Sequence, residues 1–336
     1  MEKGIYIRDI QPNTTVEGTF CVQSRRLLET RNGAPYLALT LMDRTGDMEA
    51  RVWDRARELA PVCGEGSYLR VRAEAQVFRD ATQLKVLDLE PVPEADVTPA
   101  DFLPATPEDR EALWEELRRL AGEIGDEVLQ GLVRAVFSDR DFRRAFYEAP
   151  AAKRMHHAYL GGLLEHTVAV GSLALDVAGR YPRLDRDLLL AGALLHDIGK
   201  VVEFRFDRPP LDYTDQGRLI GHMVLGTSLV DRFAAAAGLP ADHHRLLALK
   251  HLVLSHHGQR EFGAPVLPMM EEAVALNLID DLDAKLNYLS GLRGEVEGEG
   301  YGWTPYQRLL DRYFFLPGAA EEAAEAPAAE LRGRGA

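Results

Sequence analysis

From residue 15 to residue 89 apolar and polar side chains alternate in short runs, the period-two signature of half-buried strands. Such runs cover residues 15–22, 36–41, 48–53, 68–73 and 83–89, with Asn32-Gly33 and the stretch 43–47 as turn signals and a short helix near 55–59. Residues 90–108 break the pattern with Pro91, Pro93, Pro99, Pro104 and Pro107 among acidic and small residues, as in an extended linker. Glu108, Asp109 and Glu111 then favour a helix start, since acidic side chains suit the positive helix N-terminus. Beyond it apolar residues recur at helical spacing, as in Leu113, Leu117, Leu120 and Ile124, to about Leu316. The remainder is Ala- and Glu-rich without aromatics and is expected to be disordered.

Five strands with a helix between the third and fourth are the outline of an OB-fold barrel. The pattern therefore predicts a multi-domain α and β protein: a β-barrel over residues 1–90, a Pro-rich linker over 91–108, an all-α domain over 109–316 and a tail over 317–336. Two domains suit the length of 336 residues. Charged residues at 27% and hydrophobic residues at 46% are those of an ordinary soluble chain. No apolar stretch approaches the roughly 18 residues of a membrane span, and the first ten residues lack a secretory apolar core, so a cytoplasmic protein with no membrane partner is expected. Cys21 and Cys63 have no ligand spacing and read as small buried apolar residues.

Net charge changes the picture of possible partners. At −14 the chain lacks the overall basic footprint of a nucleic-acid binder, but residues 1–90 hold 13 basic and 14 acidic side chains, which leaves 26 and 39 for the rest. An acidic domain can still hold phosphate where metal ions supply the positive charge. Phe20, Tyr36, Trp53, Tyr68 and Phe78 are either barrel core or platforms on which bases stack, and Tyr36 and Trp53 are the substrate-contact candidates. Arg25, Arg26, Arg31, Arg51, Arg70 and Arg72 either follow a phosphate backbone or form a solvated surface.

All ten histidines lie between His156 and His257. His166, His196-Asp197, His222, His256-His257 and Asp280 succeed one another at wide intervals, each on a predicted helix or at its end. Adjacent side chains on a regular helix point about 100° apart, so His196 and Asp197 converge on one centre only at a helix end, where Gly199 permits a turn. A carboxylate has two oxygens, so Asp197 can bridge two ions while His196 binds one. Mixed imidazole and carboxylate donors suit Mn²⁺, Fe²⁺, Co²⁺, Ni²⁺ or Zn²⁺, and the lack of cysteine ligands near the histidines argues against a closed structural zinc site. His243 and His244 sit in a polar turn and read as surface residues, and His251 as a packed residue on its helix.

The ordered set, with the segments HHAYLGGLLEHT (156–167), LLAGALLHDIGK (189–200), YTDQGRLIGH (213–222), LKHLVLSHHG (249–258) and NLIDDLDAKLN (277–287), resembles the YhaM-type 3′–5′ exoribonucleases of the HD-domain phosphohydrolase superfamily. The resemblance covers nearly the whole chain except the tail, and it includes an N-terminal OB-fold domain that binds nucleic acid. It implies one metal on His166, His196, Asp197 and Asp280, and a second on Asp197, His222, His256 and His257. Asp283, one helical turn after Asp280, would orient a ligand, and Asp281 would face solvent. Lys200 would donate to the scissile phosphate, with His156, His157 and Tyr159 lining the substrate channel. The implied activity is metal-dependent, most readily with two Mn²⁺ ions: a metal-bridging hydroxide releases nucleoside monophosphates from single-stranded RNA, with single-stranded DNA and a homo-oligomer also in view. Two alternatives stay open, an HD-type phosphohydrolase of nucleotides or cyclic dinucleotides and a non-catalytic nucleic-acid-binding regulator.

Overall fold

The computed structural model describes residues 3–78, 81–153, 157–296, 298 and 300–318. His156 and the tail from residue 319 onward lie outside the described residues. Residues up to Asp280 group into one compact unit and those from Asp281 into a second.

Strands β1 (Thr15–Glu29), β2 (Pro35–Asp43), β3 (Gly46–Val52), β4 (Tyr68–Phe78) and β5 (Ala81–Val92) close into a barrel in the order β1-β2-β3-β5-β4. The β3–β5 pair is parallel and the others are antiparallel, with helix α1 (Ala56–Leu59) between β3 and β4. Alternation does the sorting: Leu37, Leu39 and Leu41 of β2 and Leu69, Val71, Ala73 and Ala75 of β4 point into one buried core, while Arg70 and Arg72 face outward. β1 runs seven residues beyond the predicted end. Its polar second half pairs with β2 across a turn at Gly33, whose φ of 78° suits a residue without a Cβ. Backbone ladder bonds hold this extension, so its side chains carry no alternation to read. Cys21 and Cys63 are buried free thiols, which burial pushes up to about 12 and about 11.

The Pro-rich segment departs from the expected extended linker. Val92 still belongs to β5, and short 3₁₀ turns come next at Glu94–Asp96 and Pro99–Asp101. They deliver Phe102, 1% exposed, into a cluster with Cys21, Met42, Tyr68 and Val92 on the barrel. Its ring meets Tyr68 edge-on at 4.8 Å, and the Arg44 N–H donates to the Asp101 carbonyl at 2.9 Å. One buried aromatic offsets the entropy of ordering a segment that its prolines already stiffen.

Helices dominate the chain from Arg110 to Leu292: α2 (Arg110–Gly122), α3 (Glu127–Ser138), α4 (Arg140–Glu148), α5 (Gly162–Arg180), α6 (Arg186–Leu195), α7 (Lys200–Glu203), α8 (Asp215–Ile220), α9 (His222–Ala236), α10 (His244–Ser255) and α11 (Glu271–Leu292). Asp109, Asp126, Asp139 and Asp185 cap α2, α3, α4 and α6 by accepting backbone N–H groups of the first turn. The all-α expectation needs two corrections. Strands β6 (Phe204–Arg205) and β7 (Asp212–Tyr213) form a small hairpin, and helix ends at Leu292 rather than near 316. After it β8 (Tyr301–Trp303) pairs with β9 (Phe315–Pro317), because a Gly-rich stretch with Gly298 and Gly300 at positive φ halts the helix and the aromatic residues beyond favour strands. No helix among the described residues is long and apolar enough to cross a membrane.

The docked segment yields a test. Phe102→Ala is expected to lower stability by about 3–5 kcal/mol in urea unfolding, and to open residues 91–108 to limited proteolysis; an unchanged midpoint would show that the segment is a free spacer.

Candidate metal centre

Helix ends bring most of the candidate ligands together. His166 lies in the second turn of α5, His196 caps the C-terminus of α6, and Asp197 sits in the turn before α7. His222 opens α9, His256 caps α10 with His257 next to it, and Asp280 projects from α11. Two consecutive residues converge at the end of α6, but not through the turn expected of Gly199. Gly199 has ordinary helical angles, φ −64° and ψ −20°. Its lack of a side chain serves close approach instead, since a Cβ there would lie 2.0 Å from the His222 carbonyl oxygen. The glycine lets the start of α9 lie against the turn that carries Asp197.

The Asp197 carboxylate is 2% exposed and stands among four imidazoles. Its Oδ2 lies 3.5 Å from His166 Nε2 and 3.3 Å from His196 Nε2, and its Oδ1 lies 3.6 Å from His222 Nε2 and 3.5 Å from His256 Nε2. Asp280 Oδ1 stands 3.2 Å from His166 Nε2 and 3.7 Å from His196 Nε2. Three potential groupings arise from these positions: His166, His196 and Asp197; His196, His256 and Asp280; and His222, His256 and His257.

The opposite edge of several rings fixes which nitrogen is free. His196 Nδ1 lies 2.9 Å from the Ala193 carbonyl, His256 Nδ1 2.8 Å from that of Val253, and His257 Nδ1 2.7 Å from that of Phe262. His222 Nδ1 lies 3.1 Å from Glu203 Oε1, which also accepts the His222 backbone N–H at 3.0 Å. An imidazole that donates from Nδ1 presents a lone pair at Nε2, the state a metal needs. A cation fits this donor set. Asp197 Oδ1, His222 Nε2 and His256 Nε2 are all buried without a hydrogen-bond partner, and His166 Nε2 and His196 Nε2 face each other at 3.2 Å. Leaving a buried polar atom unmet costs about 1–3 kcal/mol, and three on one cluster are accounted for by a shared positive centre.

Charges in the cluster bias it the same way. Burial alone would raise the Asp197 carboxyl, but Lys200 and His196 outweigh it and hold it well below the carboxylate range. Burial likewise opposes ionisation of Asp280, which the hydrogen bond with His166 and the surrounding imidazoles outweigh, holding its carboxyl below the carboxylate range. Burial pushes His256 down, and takes His257 down to about 4. Lys200, expected at the scissile phosphate, is itself buried and lies 2.5 Å from Asp197 Oδ2.

Of the expected channel residues, His157 is 3% exposed, with Nδ1 3.0 Å from the Tyr159 hydroxyl and its ring 5.5 Å from that of His166. The Tyr159 hydroxyl donates to Glu165, which also accepts from Thr106, so His157 and Tyr159 join a buttress beside α5. On the barrel Tyr36 and Trp53 stack at 4.8 Å, with Trp53 45% exposed, whereas Phe20 and Tyr68 are core and Phe78 is exposed. His251 is half-buried and accepts from the Met269 N–H; His243 caps α10 and His244 is exposed. Glu203 and Asn277, whose amide donates to the His256 carbonyl at 2.7 Å, escaped the sequence reading. Neither carries a local signal, since a buried acceptor looks like any other Glu among 53 acidic residues.

The HD domain family matches residues 163–285, and the OB-fold nucleic acid binding domain family matches residues 19–92. Full-length similarity is closer. The 3′–5′ exoribonuclease YhaM of Bacillus subtilis strain 168 is 35% identical over 318 residues, covering 94% of this chain and 99% of that protein. The protein of the same name from Geobacillus sp. strain WCH70 is 36% identical over 287 residues, covering 85% and 87%, and that of Listeria monocytogenes strain CLIP80459 is 34% identical over 290 residues, covering 86% and 90%.

The buried neutral imidazoles set the sign of a pH effect. His257 binds a proton less readily folded than unfolded, so metal-free protein should lose stability as pH falls below about 6.5, with the loss from this ring complete near 4. Thermal melts in chelator across that window should show the decline, and His257→Gln should flatten part of it.

Proposed function

The chain belongs to the YhaM-type 3′–5′ exoribonuclease family, and from that premise we propose that it shortens single-stranded RNA from the 3′ end, releasing nucleoside monophosphates at a two-metal centre. His166, His196, Asp197 and Asp280 would hold one ion, and Asp197, His222, His256 and His257 would hold the other. The observation that carries this reading is the set of three unmet buried atoms, Asp197 Oδ1, His222 Nε2 and His256 Nε2, around a carboxylate whose two oxygens serve different imidazoles. Mixed nitrogen and oxygen donors suit Mn²⁺ as they do Fe²⁺, Co²⁺, Ni²⁺ or Zn²⁺, and Mn²⁺ is the ion proposed for this role. When bound, such ions lower the pKa of a water and stabilise negative charge building on the phosphodiester.

The residues of the chain do the positioning. Asp197 ties the two halves of the centre together, and its depressed pKa keeps it an anion throughout the physiological range. Lys200 stays protonated: burial opposes its charge, but Asp197, Asp280 and Glu203 together raise it. It acts on Asp197, neutralising part of the carboxylate charge and holding Oδ2 in place. Glu203 orients His222 through both its backbone and its ring, and Asn277 anchors the turn of His256. Burial excludes bulk water, which strengthens each of these interactions.

The barrel serves as the strand holder. Trp53 and Tyr36 offer a stacked aromatic surface to a base, and Arg26 and Arg31 lie on the same exposed β1–β2 extension. The same reading includes single-stranded DNA as a second substrate, action in the cytoplasm and a homo-oligomeric assembly.

Labelled strands test the proposal. With Mn²⁺, 3′-labelled single-stranded RNA should release labelled mononucleotide at once and 5′-labelled RNA should shorten progressively. Excess chelator should stop both. Asp197→Ala should abolish hydrolysis while filter binding of the strand persists; surviving activity would refute the shared-carboxylate assignment. Trp53→Ala should instead weaken strand binding by about 1–3 kcal/mol, with turnover at saturating RNA little changed.

A further inference from the structure

A groove of 630 Å³ opens between α2, α3 and α4, a volume typical of small-molecule sites. Those helices carry none of the candidate metal ligands. Four of the twelve lining residues are arginines, Arg118, Arg134, Arg140 and Arg143, and none is acidic. In a chain of net charge −14 such a concentration of one sign needs a reason. Glu115 holds Arg118 at 3.0 Å. The other three make no ion pair among the described residues: Arg134 donates to Gln130 Oε1 at 3.2 Å, Arg143 lies 4.5 Å from the centre of the Trp114 ring, and Arg140 is exposed.

The wall adds a second, independent observation. Trp114 is 1% exposed, and its indole N–H is buried without a hydrogen-bond partner. Like-charged guanidinium groups around one hollow repel each other until an anion comes between them, and their planar forks match phosphate oxygens. Arginine laid over an aromatic ring, with Phe137 in the same wall, gives the groove an apolar side as well.

We propose that this groove is a second binding site, distinct from the metal centre, for a phosphate ester that carries a base. Two sources share that chemistry, a free nucleoside polyphosphate and the backbone of the RNA strand upstream of its 3′ end. The groove's bounded volume suits one nucleotide unit in either case.

The test uses the full chain in chelator, so that the metal centre does not contribute. ATP binding is measured by calorimetry for the wild type and for the double substitution Arg134→Gln, Arg140→Gln, at two exposed lining side chains that pack on no ring, with an unchanged melting temperature as the control for folding. In parallel, KM and kcat on short 5′-labelled single-stranded RNA are measured with Mn²⁺. Loss of two charge-assisted contacts should weaken binding about tenfold or more. A tenfold drop in ATP affinity supports the site with a free nucleotide as its ligand, an arm that does not depend on the nuclease reading. No ATP binding but a tenfold rise in KM at constant kcat supports it with the RNA backbone as its ligand. If the substitution alters neither, the proposal is overturned.

Discussion

Everything in the helical domain is arranged around one buried carboxylate. Asp197 has two oxygens, and the fold gives each a separate pair of imidazoles, His166 and His196 on one side and His222 and His256 on the other. A lone anion so far from water is costly; Lys200 offsets part of that cost, while the imidazole nitrogens turned inward bring lone pairs that add to the need for positive charge. The same balance explains why the centre fits divalent ions. Its donors lack protons where they converge, and only a cation can satisfy them all together.

That convergence constrains the surrounding helices more tightly than a hydrophobic core would. A core tolerates exchange among apolar residues of similar volume, whereas the centre requires five separate segments to meet at one point, three of them by a helix end. Helix termini suit this, because the last residues of α6 and α10 and the first of α9 escape the 100° spacing of a regular helix. Gly199 is a consequence: the two chain segments that carry Asp197 and His222 come closer than any Cβ allows. The partners Glu203 and Asn277 are another, since a ligand ring is useful only if its far edge is tethered.

Charge is distributed in keeping with function rather than uniformly. The acidic excess falls outside the barrel, whose basic and acidic side chains nearly cancel. If the barrel holds a strand as proposed, the exposed pair Tyr36 and Trp53 would contribute more to it than net charge does. Within the acidic part, the groove of α2 to α4 concentrates positive charge in guanidinium groups, and the donor set around Asp197 calls for positive charge from ions.

Local pattern was enough for the barrel and the helices. Period-two runs marked five strands, helical spacing and acidic caps marked most helices, and the intervals His166, His196-Asp197, His222, His256-His257 and Asp280 marked a metal chemistry, because each signal depends on neighbours in sequence. Tertiary structure decided what depends on neighbours in space. The polar half of β1 is a strand only because β2 lies beside it, and Phe102 turns a proline-rich segment into part of the barrel surface only because Tyr68 and Met42 leave room for its ring. Lys200 meets Asp197 rather than open solvent, and Glu203 is set apart from dozens of other acids by its distance to His222. The candidate ligands were legible along the chain as residue types at intervals, whereas their convergence on Asp197, their tethers and their burial exist only where separate helices meet.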